Sequence, residues 1–316
     1  IPYELITGKL NVTSSVIRSL EEQQILKCEA VTVYRNPIRV EGKTSGSIHL
    51  NKEQEEIVQD ITAHWDEESY RVSWLHGITG SGKTEIYIEL IAYAVEKGGQ
   101  AIVLIPEIAL TYQTVMRFYR RFGERISIIH SRLSPGERYD QFERAKRGEI
   151  DVMIGPRSAL FTPFPNLKII IIDEEHEDAY QSETVPRYHA REVAIQRAVM
   201  ENAKVILGSA TPSLESYYRA KNGEYRLYTL KKRAKESRLP SVQIVDLRAE
   251  LRSGNRSVLS MILREKIEER LEKKQQVMLF LNRRGYAGFL SCRSCGEVIK
   301  CPHCDVSLSL HNNGKL

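Results

Sequence analysis

One stretch of the sequence decides the fold: Gly77-Ile78-Thr79-Gly80-Ser81-Gly82-Lys83-Thr84. It has the form G-x-x-x-x-G-K-T, the pattern of a phosphate-binding loop. The apolar run Val72 to Leu75 precedes it and indicates a strand, and Thr84 to Val95 follows it with the pattern of an amphipathic helix. A strand, a glycine-rich loop and a helix N-terminus in this order direct several backbone N–H groups at one phosphate. We therefore expect a nucleotide site rather than a glycine-rich turn without chemistry.

The loop residues have separate predicted roles. The glycines allow the backbone to bend around a phosphate, Lys83 supplies positive charge to the β- and γ-phosphates, and Thr84 supplies a hydroxyl to Mg²⁺. The predicted cofactors are therefore ATP and Mg²⁺. The predicted binding residues of the loop are Gly77, Thr79, Gly80, Ser81, Gly82, Lys83 and Thr84.

Length, charge and composition limit the class of protein. The chain has 316 residues, a formal net charge of +5 and 41% hydrophobic residues, enough for a packed core and more than one domain. The charge permits a nucleic-acid partner without requiring one. The apolar run Leu167 to Ile172 is too short to span a membrane, and we expect no membrane partner. The chain begins at Ile1 without a signal-peptide pattern, so we expect an internal piece of a cytoplasmic protein.

The first part of the chain has the pattern of a small domain. Val12, Val16, Ile17 and Leu20 recur at helical spacing, and an alternating run follows over 29–34. Helices followed by a strand pair favour a partial winged-helix domain over residues 1–40. Residues 41–48 are predicted to be a linker, because the surrounding sequence is rich in Gly, Pro and Ser. The isolated Cys28 is predicted to be a small buried residue.

Strands and helices alternate over residues 49–230. The predicted strands are apolar runs typical of parallel sheets buried on both faces. They are Val72–Leu75, Ala101–Ile105, Ile126–Ile129, Val152–Ile154, Leu167–Ile172 and Lys204–Leu207, with a further strand at Val242–Val245. Ser134 and Glu137 have the spacing of a capping box at the start of one helix, and Gly148 ends that helix. This alternation predicts a doubly wound α/β domain. The basic cluster 231–235 is either a solvated linker or a DNA contact.

An acidic motif, Asp173-Glu174-Glu175-His176, follows the apolar strand at 167–172. Ligands of α/β sheets bind at the carboxyl ends of strands. Asp173 is expected to hold Mg²⁺, and Glu174 is expected to accept a proton from the attacking water. His176 is expected to couple the site to a neighbouring motif. The alternative is an acidic helix N-terminus without chemistry.

Two hydroxyl residues follow the next predicted strand in Ser209-Ala210-Thr211. We expect Ser209 and Thr211 to bond to the acidic motif and to sense the state of the nucleotide. The order of phosphate loop, acidic motif and Ser-Ala-Thr resembles the first lobe of a superfamily 2 helicase. Further strings at 105–111, 130–131, 137–138, 154–161, 180–181 and 187–191 closely resemble the primosomal replication-restart helicases of bacteria, over nearly the whole chain.

The resemblance implies a fold and an activity. It implies a RecA-like parallel sheet with helices on both faces over 49–230, a winged-helix domain before it, and the start of a second lobe within 231–290. The implied activity is ATP-dependent 3′→5′ DNA unwinding that restarts replication at stalled forks. The implied partners are branched and single-stranded DNA, single-stranded DNA-binding protein and other primosomal proteins. The protein is expected to be a monomer in the bacterial cytoplasm, associated with the nucleoid at forks.

The resemblance also assigns residues. Gln54 matches a glutamine that reads adenine, and Tyr180 to Arg191 matches an aromatic-rich loop that links single-stranded DNA binding to ATP hydrolysis. Cations, small donors and aromatic rings are the groups that bind single strands. The predicted DNA contacts are Thr111, His130, Ser131, Arg157, Ser158, Tyr180, Tyr188, His189 and Arg191. The structural alternative stays open for each of them, such as an ion pair for Arg157 or a packed ring for Tyr188.

Four cysteines lie in the segment 291–316, as the pairs Cys292-x-x-Cys295 and Cys301-x-x-Cys304. Each pair has the spacing of two zinc ligands, and all four could close one site. The gap between the pairs is shorter than usual zinc spacings. The resemblance implies two Zn²⁺ sites with half of each ligand set in this chain, so we expect zinc to be absent, weak or abnormally ligated. A redox-active pair would require a βαβ context that this segment lacks.

The run 277–285 resembles the strand that opens the second helicase lobe. The remaining motifs of that lobe, including the arginine that reaches the γ-phosphate, do not follow in this sequence. We therefore expect weak ATP binding, poor hydrolysis and no unwinding by this chain alone. The alternatives are another superfamily 2 DNA translocase and a DNA-structure-binding scaffold without catalysis.

Overall fold

The computed structural model describes residues 3–29, 34–37, 50–233, 240–280, 292, 295 and 297–308. The chain divides into two compact units, Ile1–Ser237 and Arg238–Leu316. Within the described ranges, none of the helices combines the length and the apolar content that a membrane span requires.

Seven strands form one sheet among the described residues of the first unit. The strands are β1 (Val72–Gly77), β2 (Gln100–Leu104), β3 (Ile126–Ile128), β4 (Val152–Gly155), β5 (Leu167–Asp173), β6 (Lys204–Ser209) and β7 (Arg226–Leu230). Their spatial order is β3-β4-β2-β5-β6-β1-β7, and every neighbouring pair is parallel. This arrangement confirms the predicted parallel sheet and gathers the carboxyl ends of all strands at one edge.

Helices cover both faces of the sheet. The helices of the first unit are α1 (Tyr3–Lys9), α2 (Ser14–Glu22), α3 (Lys52–Ala63), α4 (Lys83–Glu96), α5 (Tyr112–Phe122), α6 (Pro135–Lys146), α7 (Ala190–Glu201) and α8 (Leu214–Lys221). Short 3₁₀ turns occupy Glu68–Tyr70, Gly123–Arg125, Arg157–Phe161 and Asp178–Tyr180. One core contains residues of α3, α4 and α5, and the other contains residues of α6, α7 and α8.

The two cores explain the continuous apolar strands. Along β5, Ile169 and Ile171 face one core, while Ile170 and Ile172 face the other. All four are fully buried. Alternate side chains of a strand point to opposite faces, so a strand covered on both sides needs apolar residues at every position. Full burial of each such side chain stabilises the fold by about 1.5–3 kcal/mol.

The six strands predicted between residues 72 and 207 are confirmed, and the predicted strand at Val242–Val245 is wrong. Those described residues have no regular secondary structure, and Val242 and Ile244 are exposed. The sheet ends instead with β7, which pairs with β1. As an edge strand β7 is only partly covered, with Arg226 and Thr229 exposed and Leu230 alone buried, so it lacks the continuous apolar run of the inner strands.

The predicted capping box begins α6. Ser134 Oγ accepts from the N–H of Glu137 at 3.3 Å, and Glu137 Oε2 accepts from the N–H of Ser134 at 2.9 Å. Gly148 has a φ of 69°, which favours glycine, directly after the helix. Helix α6 therefore begins and ends where its sequence predicts.

The N-terminal residues include the predicted helix as α2, which buries Ile17. The predicted strand pair falls largely on residues 30–33, outside the described residues, so the winged-helix assignment stays a prediction. Cys28 is exposed, and the expectation of a buried thiol is wrong. In the same unit, Arg35 Nε donates to Asp140 Oδ2 of α6 at 2.5 Å.

The second unit contains α9 (Leu247–Arg252) and α10 (Met261–Glu272). Glu250 accepts hydrogen bonds from the side chain of Asn255 and from the N–H of Met261, at 2.6 and 2.9 Å. The predicted opening strand of a second lobe falls partly on 277–280, which are described without regular structure, and partly on 281–285, which lie outside the described residues.

Candidate functional site

The phosphate-binding loop lies between β1 and α4. Gly80 and Gly82 have φ values of 80° and 84°, a region that other residues rarely adopt, and Gly82 is the N-cap of α4. The loop borders a cavity of about 480 Å³. The cavity is lined by Thr79, Gly80, Ser81, Gly82, Lys83, Thr84, Glu85, Arg117, Asp173, Glu174 and Arg233. The fold therefore brings the glycine loop and the acidic motif to one cavity, as the sequence predicts.

The loop has groups that fit a triphosphate. Lys83 is largely buried, and its Nζ donates to the carbonyl of Gly77 at 2.8 Å. Ser81 Oγ is buried and has no hydrogen-bond partner among the described residues. A buried hydroxyl without a partner is costly, and a phosphate oxygen beside the loop would accept from it. The N-terminus of α4 adds N–H groups and positive potential at the same place.

Asp173 lies at the carboxyl end of β5, where its carboxylate faces the loop helix. Its Oδ1 accepts a hydrogen bond from the hydroxyl of Tyr87 at 3.0 Å. Burial, followed by the nearby charge of Glu174, raises the pKa of Asp173. The Tyr87 hydrogen bond and the charge of Lys83 act in the opposite direction. Carboxylate oxygens are preferred ligands of Mg²⁺, so Asp173 fits the predicted metal role.

Glu174 has a backbone conformation that is uncommon for a residue with a side chain, with a φ of 48°. The N–H of Glu175 donates to the carbonyl of Gly208 at 3.0 Å, and the N–H of Glu177 donates to the carbonyl of Glu174 at 2.9 Å. These bonds hold the sharp turn after β5. Strained backbone of this kind is concentrated at functional sites, and here it directs a partly exposed carboxylate into the cavity.

His176 joins the acidic motif to the Ser-Ala-Thr motif. Its Nδ1 shares a hydrogen bond with Ser209 Oγ at 2.8 Å, and its Nε2 shares one with Thr211 Oγ1 at 3.1 Å. Nδ1 also lies 3.7 Å from Glu174 Oε2. The predicted contact between the two motifs is therefore confirmed, with His176 as the connecting residue. The sensing role of the two hydroxyls stays a prediction.

Gln54 is buried beside the phosphate loop. Its Oε1 accepts from the N–H of Asn51 at 2.8 Å, which completes a capping box at the start of α3. Its Nε2 donates to the carbonyl of Ser81 at 2.9 Å. In the structure this amide ties α3 to the loop. Reading of adenine by the same side chain stays a prediction.

Two of the predicted DNA-contacting residues are buried. Tyr180 is 1% exposed, and its hydroxyl donates to the carbonyls of Leu104 and Asp173 at 3.0 and 2.6 Å. Arg191 is 6% exposed, and its Nη1 donates to Glu175 Oε2 at 3.1 Å. In this conformation neither side chain offers a surface to a base or a phosphate. The placement departs from the expected direct contacts, because packing in the core and a buried carboxylate engage both groups.

The other predicted DNA-contacting residues are at least partly exposed: Thr111, His130, Ser131, Arg157, Ser158, Tyr188 and His189. Arg157 Nη1 donates to the carbonyls of Ala179 and Gln181 at 3.1 and 2.6 Å. The ring of Tyr188 packs edge-on against Phe161, with centroids 5.5 Å apart. Burial and the charge of Arg191 lower the pKa of His189, which disfavours the charged form of this imidazole.

A second cavity, of about 660 Å³, collects several of these residues near the carboxyl ends of β2 and β3. Thr111, His130 and Ser131 line it, together with the exposed side chains of Ile108 and Tyr112. The N–H of Ser131 donates to Glu107 Oε1 at 2.7 Å. The cavity combines apolar surface with small donors, which suits an unpaired nucleotide.

The sequence does not predict a role for Arg117, which lines the nucleotide cavity, or for Tyr87, which contacts Asp173 beside it. Tyr87 is a helix residue whose apolar neighbours indicate core, and Arg117 lies on α5, far along the chain from the motifs. Arg117 lines the cavity and forms an ion pair with Glu85. The places of Tyr87 and Arg117 depend on tertiary contacts, which the sequence does not reveal. The sequence indicates only that Tyr87 lies one helical turn after Lys83.

The cysteine pairs do not assemble into one metal site. Among the described residues, which include all four cysteines, no group of three or more His, Cys, Asp or Glu side chains could hold a metal ion. The N–H of His303 contacts Cys301 Sγ at 3.5 Å, and this bond, together with the Cys304 thiol, lowers the pKa of Cys301.

Comparisons with known proteins agree on a family. The profile of the DEAD/DEAH box helicase family matches residues 51–220. Replication restart protein PriA of Bacillus subtilis is 48% identical over 316 residues, which is 100% of this chain and 39% of that protein. The PriA proteins of Synechocystis and Haemophilus influenzae are 50% and 39% identical, over 77% and 98% of this chain and 30% and 42% of theirs. The chain thus spans about two fifths or less of these relatives.

Solved structures also include similar helicases. RecG bound to a three-way DNA junction has a TM-score of 0.46 at 23% identity, covering 61% of this chain and 25% of RecG. The Hef helicase domain of Pyrococcus furiosus has a TM-score of 0.42 at 18% identity, covering 70% of this chain and 47% of that domain.

Proposed function

Because the chain belongs to the DEAD/DEAH box helicase family, we propose that it forms the ATP-binding lobe of a bacterial DNA helicase that restarts replication. One observation carries the proposal. Lys83 and Thr84 from the phosphate loop and Asp173 and Glu174 from the acidic motif line one cavity, although they lie far apart in the sequence. The similarity to PriA supports the assignment of the activity to replication restart.

The residues of the nucleotide cavity have separate roles in ATP binding and hydrolysis. Lys83 exchanges its bond with the carbonyl of Gly77 for the β- and γ-phosphates, and the N–H groups at the start of α4 bind the same phosphates. Thr84 and Asp173 would hold Mg²⁺, which would neutralise the charge of the phosphate oxygens. Glu174 accepts the proton of the attacking water. The hydrogen bonds of His176 to Ser209 and Thr211 transmit the state of this site to the end of β6.

A chain of contacts supports coupling between DNA and the nucleotide site. Arg157 donates hydrogen bonds to the carbonyls of Ala179 and Gln181, the residues on either side of Tyr180. Tyr180 in turn donates to the carbonyl of Asp173. A strand of DNA that pulls on Arg157 would therefore act on the backbone that carries Asp173. The loop 180–191 is the segment in which we place this coupling.

Single-stranded DNA binds, in this account, across the carboxyl ends of the strands. The contacting residues are Thr111, His130, Ser131, Arg157, Ser158, Tyr188 and His189. Arg157 supplies charge to the phosphates, while Tyr188 supplies a ring for stacking. Buried Tyr180 and Arg191 support this surface from within and do not touch DNA.

The more detailed parts of the proposed function rest on similarity to PriA. They are translocation in the 3′→5′ direction, action on branched DNA at forks, interaction with single-stranded DNA-binding protein and primosomal proteins, a monomeric state, and a place in the cytoplasm beside the nucleoid. Zinc belongs to this set as well. Cys292, Cys295, Cys301 and Cys304 would each contribute to a site that needs further ligands.

ATP hydrolysis with and without single-stranded DNA tests the proposed function, measured in this chain, for which we expect poor hydrolysis, and in a protein extended through the second helicase lobe. Glu174→Gln keeps the shape of the side chain and removes the base, so we expect nucleotide binding to persist while the DNA-stimulated rate falls at least about a hundredfold. Lys97→Ala, at the exposed C-terminus of α4, serves as the matched control and should hydrolyse ATP like the wild type. Equal rates for Glu174→Gln and the wild type would refute the assignment.

A further inference from the structure

Tyr87 joins the helix that carries the phosphate loop to Asp173. It lies on α4 one helical turn after Lys83, so the two side chains project from the same face. Its ring is 1% exposed, and its hydroxyl donates to Asp173 Oδ1 at 3.0 Å. One O–H group therefore links α4 to the carboxyl end of β5.

Strand β6 also packs against the Tyr87 hydroxyl. Gly208 on β6 is the sheet partner of Asp173 on β5. A Cβ added to Gly208 would lie 1.6 Å from the Tyr87 hydroxyl oxygen and 3.5 Å from Asp173 Oδ1. Because a real Cβ cannot approach so closely, only glycine leaves room for the hydroxyl here. The O–H group is held where α4, β5 and β6 meet.

We propose that Tyr87 is a positioning residue for Mg²⁺ in the nucleotide site, an inference that rests on the proposed function. A carboxylate has two oxygens, and the bond to Oδ1 leaves Oδ2 for the metal while it fixes the plane of the group. Thr84, the other expected ligand, lies on the same helix as Tyr87. Tyr87 therefore sets the distance and orientation between two ligands that come from different elements.

Removal of the hydroxyl should weaken the metal site and leave the fold in place. Tyr87→Phe keeps the buried ring and deletes one oxygen, so the carboxylate of Asp173 is free to rotate. Partners that orient a metal ligand typically contribute a factor of about 10–100 to metal affinity. Tyr93→Phe is the matched control, because the Tyr93 hydroxyl of the same helix donates to the carbonyl of Thr62, outside the site, at 3.3 Å.

The experiment titrates MgCl₂ into the full chain with a fixed concentration of a fluorescent ATP analogue. The Mg²⁺ concentration at half-maximal binding should rise about tenfold in Tyr87→Phe and stay at the wild-type value in Tyr93→Phe. Binding in EDTA and the melting temperature should be alike in the two variants. A Mg²⁺ curve for Tyr87→Phe that coincides with that of Tyr93→Phe would overturn the inference.

A second variant and the wild type separate the possible failures. Gly208→Ala keeps the tyrosine and pushes its hydroxyl away from Asp173, so the same shift of the Mg²⁺ curve is expected, and an unshifted curve in folded protein contradicts the inference. If the wild type fails to bind the analogue, or if Lys83→Ala binds it equally well, the proposed function fails instead. A shift confined to the Tyr87 and Gly208 variants supports both proposals.

Discussion

The imidazole of His176 lies 2.8 Å from the hydroxyl oxygen of Ser209 and so connects the turn after β5 to the end of β6. The second ring nitrogen contacts Thr211, so the ring is held at both ends. The hydroxyl of Ser209 is fully buried. A change in the turn that carries Asp173 and Glu174 is therefore passed to β6 through one side chain.

Loss of this connection should uncouple DNA from hydrolysis. In His176→Ala the phosphate contacts of Lys83 remain, so ATP affinity should change little, while stimulation of hydrolysis by single-stranded DNA should fall about tenfold, within the usual range of coupling energies between sites. Phosphate release with and without DNA measures both. The control is His64→Ala, outside the site. Undiminished stimulation in His176→Ala would contradict the prediction.

The buried pair Arg191–Glu175 should be important for stability. Nη1 of Arg191 lies 3.1 Å from Glu175 Oε2, and the two side chains are 8% and 0% exposed. Arg191→Met leaves the Glu175 carboxylate buried without its cation, which should lower the free energy of unfolding by about 3–5 kcal/mol. Denaturation in urea measures the change.

Two further variants make that stability test specific. Lys52→Ala breaks the exposed pair with Glu56 and should cost less than about 1 kcal/mol. The double variant Glu175→Gln with Arg191→Met should recover part of the loss, because no buried charge is left. A loss in Arg191→Met no larger than that in Lys52→Ala would show that the pair is unimportant.

Direct DNA contact should distinguish two tyrosines of one loop. Tyr188→Ala removes a partly exposed ring and should weaken binding of a labelled single strand about fivefold to a hundredfold, the usual effect of one lost stack. Tyr180→Phe changes a buried hydroxyl and should leave that affinity unchanged. Fluorescence anisotropy measures both. Equal losses in the two folded variants would place DNA differently from our account.

Stability should depend on pH through Lys204. Burial, which outweighs the nearby charges of Asp66 and Glu67, lowers the pKa of Lys204 to about 8, whereas an unfolded lysine has a pKa near about 10.4. Between these values the unfolded chain binds more protons, so the free energy of unfolding should rise as the pH increases from 8 to about 10. Below pH 8 the contribution is constant.

The test of Lys204 compares the pH dependence of the unfolding free energy in the wild type and in Lys204→Arg. Lys204 Nζ donates to the carbonyls of His64 and Glu67 at 2.8 and 3.2 Å. Lys204→Arg keeps a donor that does not lose its proton in this range, so its unfolding free energy should lack the rise seen in the wild type. Parallel pH profiles for the two proteins would contradict the lowered pKa.

The sequence predicts features that depend on local order. The glycine loop, the acidic motif and the Ser134 capping box are set by a few neighbouring residues, and the structure has them where expected. The inner strands are recognisable because burial on both faces requires an apolar residue at every position, as in β5.

Features that depend on tertiary packing could not be predicted in the same way. The edge strand β7 is half exposed and has no continuous apolar run. Tyr180 and Arg191 are residue types that often contact DNA. Here hydrogen bonds to Asp173 and Glu175 keep both side chains buried. The contact of Tyr87 with Asp173 exists only because Gly208, on β6, leaves space beside the tyrosine hydroxyl.

Binding of Mg-ATP to the wild type and to Lys83→Ala tests whether the phosphate loop forms a nucleotide site. Calorimetric titration of the full chain should give one site per chain. Binding should be lost in Lys83→Ala and kept in Lys97→Ala, because Lys83 lines the nucleotide cavity and Lys97 does not. Equal binding by Lys83→Ala and Lys97→Ala, or no binding by the wild type, would contradict the account.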